Sequence, residues 1–127
     1  MRVILIDDYL PFLAVLSTLL QRQPDIEVVG QALNGEDGLR LAVELKPDLV
    51  LVDYSMYGTD GCDVTRTLKA SATPPQVIML SFHHELEYRK MALQAGVDAF
   101  VGKSEIHEKL LPLLEKIDSK RHPQAWY

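Results

Sequence analysis

The sequence is poor in cysteine, with Cys62 alone, and it contains no apolar run long enough to cross a bilayer. A single thiol excludes an internal disulfide framework and a zinc site built from cysteines. The first residues, MRVILIDD, place two acids after a short apolar run, which does not fit a secretory signal peptide. We therefore expect a protein of the reducing cytoplasm that has no membrane partner.

Positive charge is also scarce, because 13 Lys and Arg stand against 18 Asp and Glu and give a formal net charge of −5. A domain that binds nucleic acid by itself usually carries a basic face, so we expect no direct nucleic-acid binding. The 127 residues, 47% of them hydrophobic, suit one globular domain. We predict that this domain covers residues 1–119, and that residues 120–127 form a tail or the start of a linker to an output domain.

Short apolar runs alternate along the chain with amphipathic stretches. The five runs begin at Val3, Ile26, Leu49, Val77 and Ala99. Between them apolar residues recur at helical spacing, and a fifth helical pattern follows the last run. This alternation predicts an α/β domain with a parallel sheet and right-handed crossovers. Five strands, five helices and this length fit the doubly wound flavodoxin-like fold, with strand order 2-1-3-4-5.

Five polar residues stand where predicted strands end: Asp7, Asp8, Asp53, Ser81 and Lys103. Ligands of an open parallel sheet bind beyond the carboxyl ends of the strands, where the strand order reverses, so we expect these side chains to converge. Three carboxylates together suit a hard cation such as Mg²⁺. A carboxylate can also form an acyl phosphate, while a metal ion and a lysine neutralise the phosphoryl oxygens. Asp53, on the central strand, is the best candidate for the nucleophile.

The same residues lie within longer motifs. These are ILIDD at 4–8, PDLVLVD at 47–53, VIMLS at 77–81 and AGVDAFVGK at 95–103, with Met56, Gly58, Asp60 and Gly61 between the second and the third. Together they resemble the receiver domain of bacterial two-component response regulators, which has a CheY-like fold, over residues 3 to about 117. The segment QPDIEVVG at 23–30 is similar to the NarL/FixJ type, whose receivers usually precede a helix-turn-helix DNA-binding domain.

The resemblance implies a role for each polar residue at the predicted edge. Asp53 matches the phospho-acceptor, and Lys103 matches the lysine that pairs with the phosphoryl group. Ser81 matches the switch hydroxyl, and Phe100 matches the switch aromatic residue that turns inward on activation. The residues that match the Mg²⁺ site are Asp7, Asp8, Asp53 and, through its backbone carbonyl, Ser55.

The resemblance also implies partners. The phosphodonor would be a phosphohistidine on a sensor histidine kinase. Phosphorylation would rearrange the face formed by the fourth helix, the fifth strand and the fifth helix, and this face would control homodimerisation or a transcriptional output domain. The domain would catalyse only its own phosphorylation and dephosphorylation, so we expect no turnover enzyme.

Three residues near the predicted site call for separate attention. Tyr57 stands where the family usually has proline, and Phe82 follows Ser81, where a small residue is usual. Two consequences of Phe82 stay open, namely crowding of the phosphoryl pocket and obstruction of the inward path of Phe100. His83 is either a modulator of water access or an ordinary exposed loop residue.

Three other interpretations deserve comparison with the phosphoacceptor receiver. A pseudo-receiver would keep the fold and signal through protein contacts without phosphate, and Tyr57 and Phe82 give it weak support. A haloacid-dehalogenase-like phosphohydrolase needs Asp-x-Asp at the first strand, whereas this strand ends in Asp7-Asp8-Tyr9. A flavodoxin needs a phosphate-binding loop rich in Ser and Thr, whereas residues 9–12 are YLPF. The pseudo-receiver is therefore kept as the alternative.

Overall fold

Five strands form one sheet in the computed structural model, which describes residues 1–83 and 86–121, with side chains up to residue 118. The strands of this sheet are β1 (Arg2–Ile6), β2 (Glu27–Ala32), β3 (Leu49–Asp53), β6 (Gln76–Ser81) and β7 (Ala99–Gly102), while β4 (Ser55–Met56) and β5 (Thr59–Asp60) form a separate hairpin. The sheet order is β2-β1-β3-β6-β7, and every neighbouring pair is parallel. The predicted 2-1-3-4-5 order is confirmed.

Five helices connect and follow the strands. They are α1 (Leu10–Gln21), α2 (Gly35–Leu45), α3 (Gly61–Lys69), α4 (Leu86–Ala95) and α5 (Ile106–Arg121), the last preceded by a 3₁₀ turn at Lys103–Glu105. The side chain of Asn34 caps α2 by accepting the Asp37 N–H at 2.7 Å. Asp60 caps α3 in the same way, by accepting the Asp63 N–H at 2.9 Å. Gly96 follows α4 with a φ of +106°, in the left-handed region that suits a helix stop.

The last described residues belong to α5. Because α5 includes residues up to Arg121, the predicted boundary after residue 119 falls within this helix. The predicted tail from 122 to 127 lies outside the described residues. Within the described part of the chain, no helix is long and apolar enough to cross a bilayer.

The central strands are buried on both faces because helices cover each side of the sheet. Side chains alternate between the two faces along each strand. On one face, α1 and α5 pack against Val3, Leu5, Leu49 and Leu51. On the other face, α2, α3 and α4 pack against Ile4, Ile6, Val50 and Val52. Polar residues are consequently found at the ends of these strands, where the sheet meets solvent.

The β4–β5 hairpin follows the central strand and was not predicted. Ser55 pairs with Asp60 and Met56 with Thr59, and Gly58 turns the chain with a φ of +82°. Strands of two residues carry no readable periodicity, so the sequence gives no signal for them. The hairpin places Tyr57 at its tip, beyond the carboxyl end of β3.

Candidate functional site

Four predicted site residues are buried at the carboxyl edge of the sheet. Asp7 follows β1, Asp53 ends β3, Ser81 ends β6 and Lys103 follows β7. Each is at most 7% exposed. Asp8 lies beside them and is exposed. The structure brings the three acids and Lys103 together, and it places Ser81 at the end of the neighbouring strand.

Asp7, Asp8 and Asp53 form the acid cluster, in which one carboxylate oxygen from each residue lies within 4.8 Å of the others. Backbone donors hold two of these side chains. The N–H of Tyr9 donates to Asp7 Oδ1 at 2.9 Å, and the N–H of Tyr57 donates to Asp8 Oδ2 at 3.0 Å. Asp7 Oδ2, in contrast, is buried and accepts no hydrogen bond from the described residues.

Lys103 supplies the positive charge closest to the acid cluster. Its Nζ lies 2.7 Å from Asp7 Oδ2 and 3.2 Å from Asp53 Oδ1, and its side chain is 3% exposed. The contact with Asp7 is an ion pair without the directed geometry of a hydrogen bond. One ammonium therefore accompanies three carboxylates and contacts two of them, and the group as a whole stays negative when all three are ionised.

The pKa of Asp53 reflects both its burial and the surrounding negative charge. Burial, followed by the negative charge of Asp7, raises the pKa of Asp53 from 3.8 to about 6. Lys103 opposes this shift by attraction and by hydrogen bonding, whereas Asp8 adds to it. The ionised form of Asp53 is thus disfavoured by its surroundings, and an added cation at this place would favour it.

The acid cluster fits a hard divalent cation. It offers only oxygen ligands, which Mg²⁺ prefers, and one of them is a buried oxygen without a hydrogen bond. Exposure of Asp8 leaves room for the water ligands that Mg²⁺ commonly keeps. Ser55, whose carbonyl was predicted to join the metal site, lies exposed in β4, two residues beyond Asp53.

The loop after Asp53 is fixed by backbone contacts on two sides. The N–H of Tyr54 donates to the Leu80 carbonyl at 2.9 Å, and the N–H of Gly61 donates to the Tyr54 carbonyl at 2.8 Å. A Cβ atom on Gly61 would come within 2.4 Å of the Asp53 carbonyl oxygen. Glycine at this position therefore lets α3 begin directly against the residue that carries the central carboxylate.

Ser81 is connected to α4 through the loop that follows it. The N–H of His83 donates to Ser81 Oγ at 2.9 Å. The exposed imidazole of His83 stacks on Tyr88 of α4, with ring centroids 4.9 Å apart. Tyr88 also meets Tyr54 edge to face, with centroids 5.1 Å apart. Tyr88 thus contacts the loops that follow both Ser81 and Asp53.

Comparison with known protein families tests the resemblance that the motifs indicate. The response regulator receiver domain matches residues 3–115. The chain belongs to the response regulator receiver family. The receiver is similar in structure to the NarL signal receiver domain of Mycobacterium tuberculosis, with a TM-score of 0.85, 30% identity and coverage of 92% of this chain and 95% of that one. It is similar also to the response regulator domain of Thermotoga maritima CheB, with a TM-score of 0.80, 31% identity and coverage of 94% of each chain.

Longer relatives match this receiver over only part of their own length. Transcriptional regulatory protein LiaR of Bacillus subtilis is 38% identical over 103 residues, which cover 81% of this chain and 49% of that protein. Protein-glutamate methylesterase/protein-glutamine glutaminase 1 of Myxococcus xanthus is 37% identical over 131 residues, which cover 98% of this chain and 38% of that protein. The receiver therefore spans half or less of these relatives.

The side chains of two other predicted residues do not join the acid cluster. Phe100 is half-buried in β7, and the guanidinium carbon of Arg89 lies 5.0 Å from its ring centroid. The side chain of Tyr57 is 93% exposed, so only its backbone N–H contacts the cluster. Neither the switch role of Phe100 nor an effect of the Tyr57 ring on the pocket follows from these positions, and both stay predictions.

The sequence did not reveal the aromatic surroundings of Lys103. Its Nζ lies 4.3 Å from the ring centroid of Phe12 and 4.9 Å from that of Phe82. Phe12 belongs to an apolar helical stripe, which predicted only a place in the core. A signal was nevertheless available, because α1 begins three residues after Asp7, so that its first buried ring lies close to the same edge.

Proposed function

We propose that this receiver accepts a phosphoryl group on Asp53 in a Mg²⁺-dependent reaction and thereby switches a signalling output. One observation carries the proposal: the acid cluster and a single lysine lie in contact at one edge of the sheet. Such a cluster is electrostatically unfavourable without a further cation. Its composition supports a site that binds first a metal ion and then the charged group that the metal attracts.

Asp53 would be the nucleophile in this reaction. One of its oxygens attacks the phosphorus of a phosphohistidine on a sensor histidine kinase, the O–P bond forms as the P–N bond breaks, and the electron pair leaves with the imidazole. Mg²⁺ held by the acid cluster and the Ser55 carbonyl would neutralise the phosphoryl oxygens. Lys103 would pair with one of these oxygens, and Ser81 would donate a hydrogen bond to another.

Phosphorylation would act on the output face through Ser81 and Phe100. The phosphoryl group brings a charge near −2 and three acceptor oxygens, and it biases an equilibrium between two arrangements of the domain. The Ser81 hydroxyl accepts the N–H of His83, so its engagement by a phosphoryl oxygen would alter the loop that leads into α4. The face formed by α4, β7 and α5 would then change and control homodimerisation or an output domain.

The output we propose is transcriptional. Similarity to LiaR over about half of that protein, together with the NarL-like structure, supports a helix-turn-helix domain beyond this receiver. Under this proposal the receiver occupies residues 1–119, and the residues from 120 onward begin the connection. The protein would act in the cytoplasm, and the receiver itself would neither bind nucleic acid nor turn over an external substrate.

The decisive experiment is intact-mass spectrometry after incubation with acetyl phosphate or phosphoramidate, each with Mg²⁺ or with a chelator. We expect one phosphoryl adduct that requires Mg²⁺ and is absent from Asp53→Asn. Asp63→Asn is the matched control, because Asp63 is an exposed acid paired with Arg66 on α3. This variant should form the adduct as the unchanged receiver does.

Absence of an adduct from both donors, in protein whose folding and Mg²⁺ binding are verified, would contradict the proposal. The alternative, a pseudo-receiver that works through protein contacts without phosphate, would then be favoured. An adduct that persists in Asp53→Asn would instead move the acceptor to another residue, which peptide mapping would identify.

A further inference from the structure

Two aromatic rings lie close to the ammonium of Lys103, which also contacts two carboxylates. Phe12 and Phe82 place their ring centroids 4.3 Å and 4.9 Å from Lys103 Nζ, both within the range of a cation–π contact. The two rings also meet each other edge to face, with centroids 6.4 Å apart and an interplanar angle of 63°. We call Phe12 and Phe82 the aromatic cover.

The two rings of the aromatic cover differ in what holds them. Phe12 belongs to the core on the α1 side of the sheet and is 9% exposed. Phe82 is 63% exposed, so burial in the core contributes little to its position. Its ring meets Phe12 edge to face and lies against the ammonium of Lys103. An edge-to-face contact and the charge of the lysine therefore contribute to the placement of Phe82.

The ammonium also needs these rings. Lys103 is buried, yet the described ion-pair partners of its Nζ are limited to Asp7 and Asp53. An ammonium removed from water is destabilised unless other groups replace its hydration shell. The negative faces of the two rings replace part of that shell.

We propose that Phe82 is a positioning residue, which together with Phe12 fixes the Lys103 ammonium against Asp7 and Asp53 and shields it from water. Its kinetic consequence rests on the proposed phosphorylation of Asp53. With the ammonium fixed and water excluded, the aspartyl phosphate paired with Lys103 is hydrolysed slowly. Loss of the ring lets water solvate Lys103 and shortens the life of the phosphorylated form.

The first test uses NMR and does not depend on phosphorylation. Ring currents of the aromatic cover should displace the ε-methylene resonances of Lys103 from those of an ordinary lysine. We expect Phe82→Leu, which keeps an apolar side chain without a ring, to remove most of the displacement due to Phe82. Phe82→Tyr should retain it. Tyr57→Leu is the matched control, since it removes a more exposed ring at the same edge of the sheet.

The second test measures the half-life of the phosphorylated receiver by intact mass after removal of the donor. We expect Phe82→Leu to hydrolyse about fivefold faster than the unchanged protein, a factor equivalent to roughly 1 kcal/mol. Phe82→Tyr should lie within about twofold of the unchanged protein, because the ring and its charge distribution remain.

The two tests separate the possible failures. Unchanged Lys103 resonances in Phe82→Leu would overturn the proposal that Phe82 positions Lys103, whatever the hydrolysis rates. Equal acceleration in the leucine and tyrosine variants would also overturn it, because the effect would then not follow the ring. If the unchanged receiver forms no adduct, the proposed function fails, and the resonances of Lys103 alone decide whether the cover exists.

Discussion

The two edges of the sheet use the same kinds of charged residue in opposite ways. At the amino edge, Asp98 Oδ2 accepts the Val77 N–H at 2.7 Å and lies 2.6 Å from Lys69 Nζ. The same lysine donates to the Pro75 carbonyl at 2.8 Å. The acid and the base at this edge are thus held by backbone partners as well as by each other.

At the carboxyl edge backbone N–H groups also reach Asp7 and Asp8, but the charges are more deeply buried. Asp7 Oδ2 accepts no hydrogen bond from the described residues, and the pKa of Asp53 is raised to about 6. The side chains of Lys69 and Asp98 are 22% and 31% exposed, against 3% for both Lys103 and Asp7. The comparison teaches that the amino edge pairs its charges in a way that stabilises the fold, whereas the carboxyl edge buries an unfavourable excess of negative charge.

The largest loss of stability is expected from a change that disrupts the carboxyl edge without altering any charge. Gly61→Ala would bring a Cβ atom within 2.4 Å of the Asp53 carbonyl oxygen, which is backbone and cannot rotate away. We expect a loss of about 2–3 kcal/mol in the free energy of unfolding, measured by urea denaturation. In Gly30→Ala the closest atom is the end of the Leu45 side chain at 3.1 Å, so this control should lose less. Equal losses would show that Asp53 and α3 are not tightly apposed.

An intermediate effect is expected at the amino edge. Asp98→Ala leaves the Val77 N–H without its acceptor and Lys69 without its carboxylate. We expect the free energy of unfolding to fall by about 1–3 kcal/mol in urea. The control is Asp63→Ala, which removes an exposed ion pair on α3 and should change stability by less than about 0.5 kcal/mol. If Asp98→Ala left the free energy of unfolding unchanged, the contrast between the two edges would not hold.

The smallest expected effect on stability is a gain rather than a loss, and it depends on pH. Folding raises the pKa of Asp53 from 3.8 to about 6, so the stability that this group contributes is complete below the lower value and is lost as pH rises through the higher one. At about pH 8 without Mg²⁺, we expect the free energy of unfolding of Asp53→Asn to exceed that of the unchanged receiver by about 1 kcal/mol.

The same measurement at about pH 4.5 should show little difference, because Asp53 is then largely protonated in the folded protein. Added Mg²⁺ at high pH should stabilise the unchanged receiver and reduce the advantage of the variant. A variant that is less stable at every pH would mean that the carboxylate of Asp53 is favourably accommodated after all.

Much of the fold could be predicted because the central strands are covered on both faces. Such strands are continuous apolar runs, as at 3–6 and 49–52, and the alternation with helices fixes the parallel arrangement. The carboxyl ends of parallel strands share one edge, so the meeting of Asp7, Asp53 and Lys103 could be expected from the sequence. The β4–β5 hairpin could not, because its strands are too short to show a period.

The aromatic contacts could be anticipated only in part from the sequence, for a different reason. Phe12 has the spacing of a core residue, and the same spacing is compatible with a ring that also faces an ammonium. Phe82 could be recognised as unusual beside Ser81, but its direction depends on packing between separate elements. The stacking of His83 on Tyr88 likewise joins a loop to α4, and no local pattern encodes it.

The position of Lys103 has a consequence for the order in which the protein is completed. Asp7 and Asp53 come from the first half of the chain, whereas Lys103 follows β7, the last strand of the sheet to be synthesised. A chain that ends before β7 would therefore bring carboxylates together at the edge of β1 and β3 without this ammonium. Their repulsion disfavours the partial sheet and is reduced when the final strand docks. The electrostatics of the site thus couple assembly of the early strands to arrival of the last one.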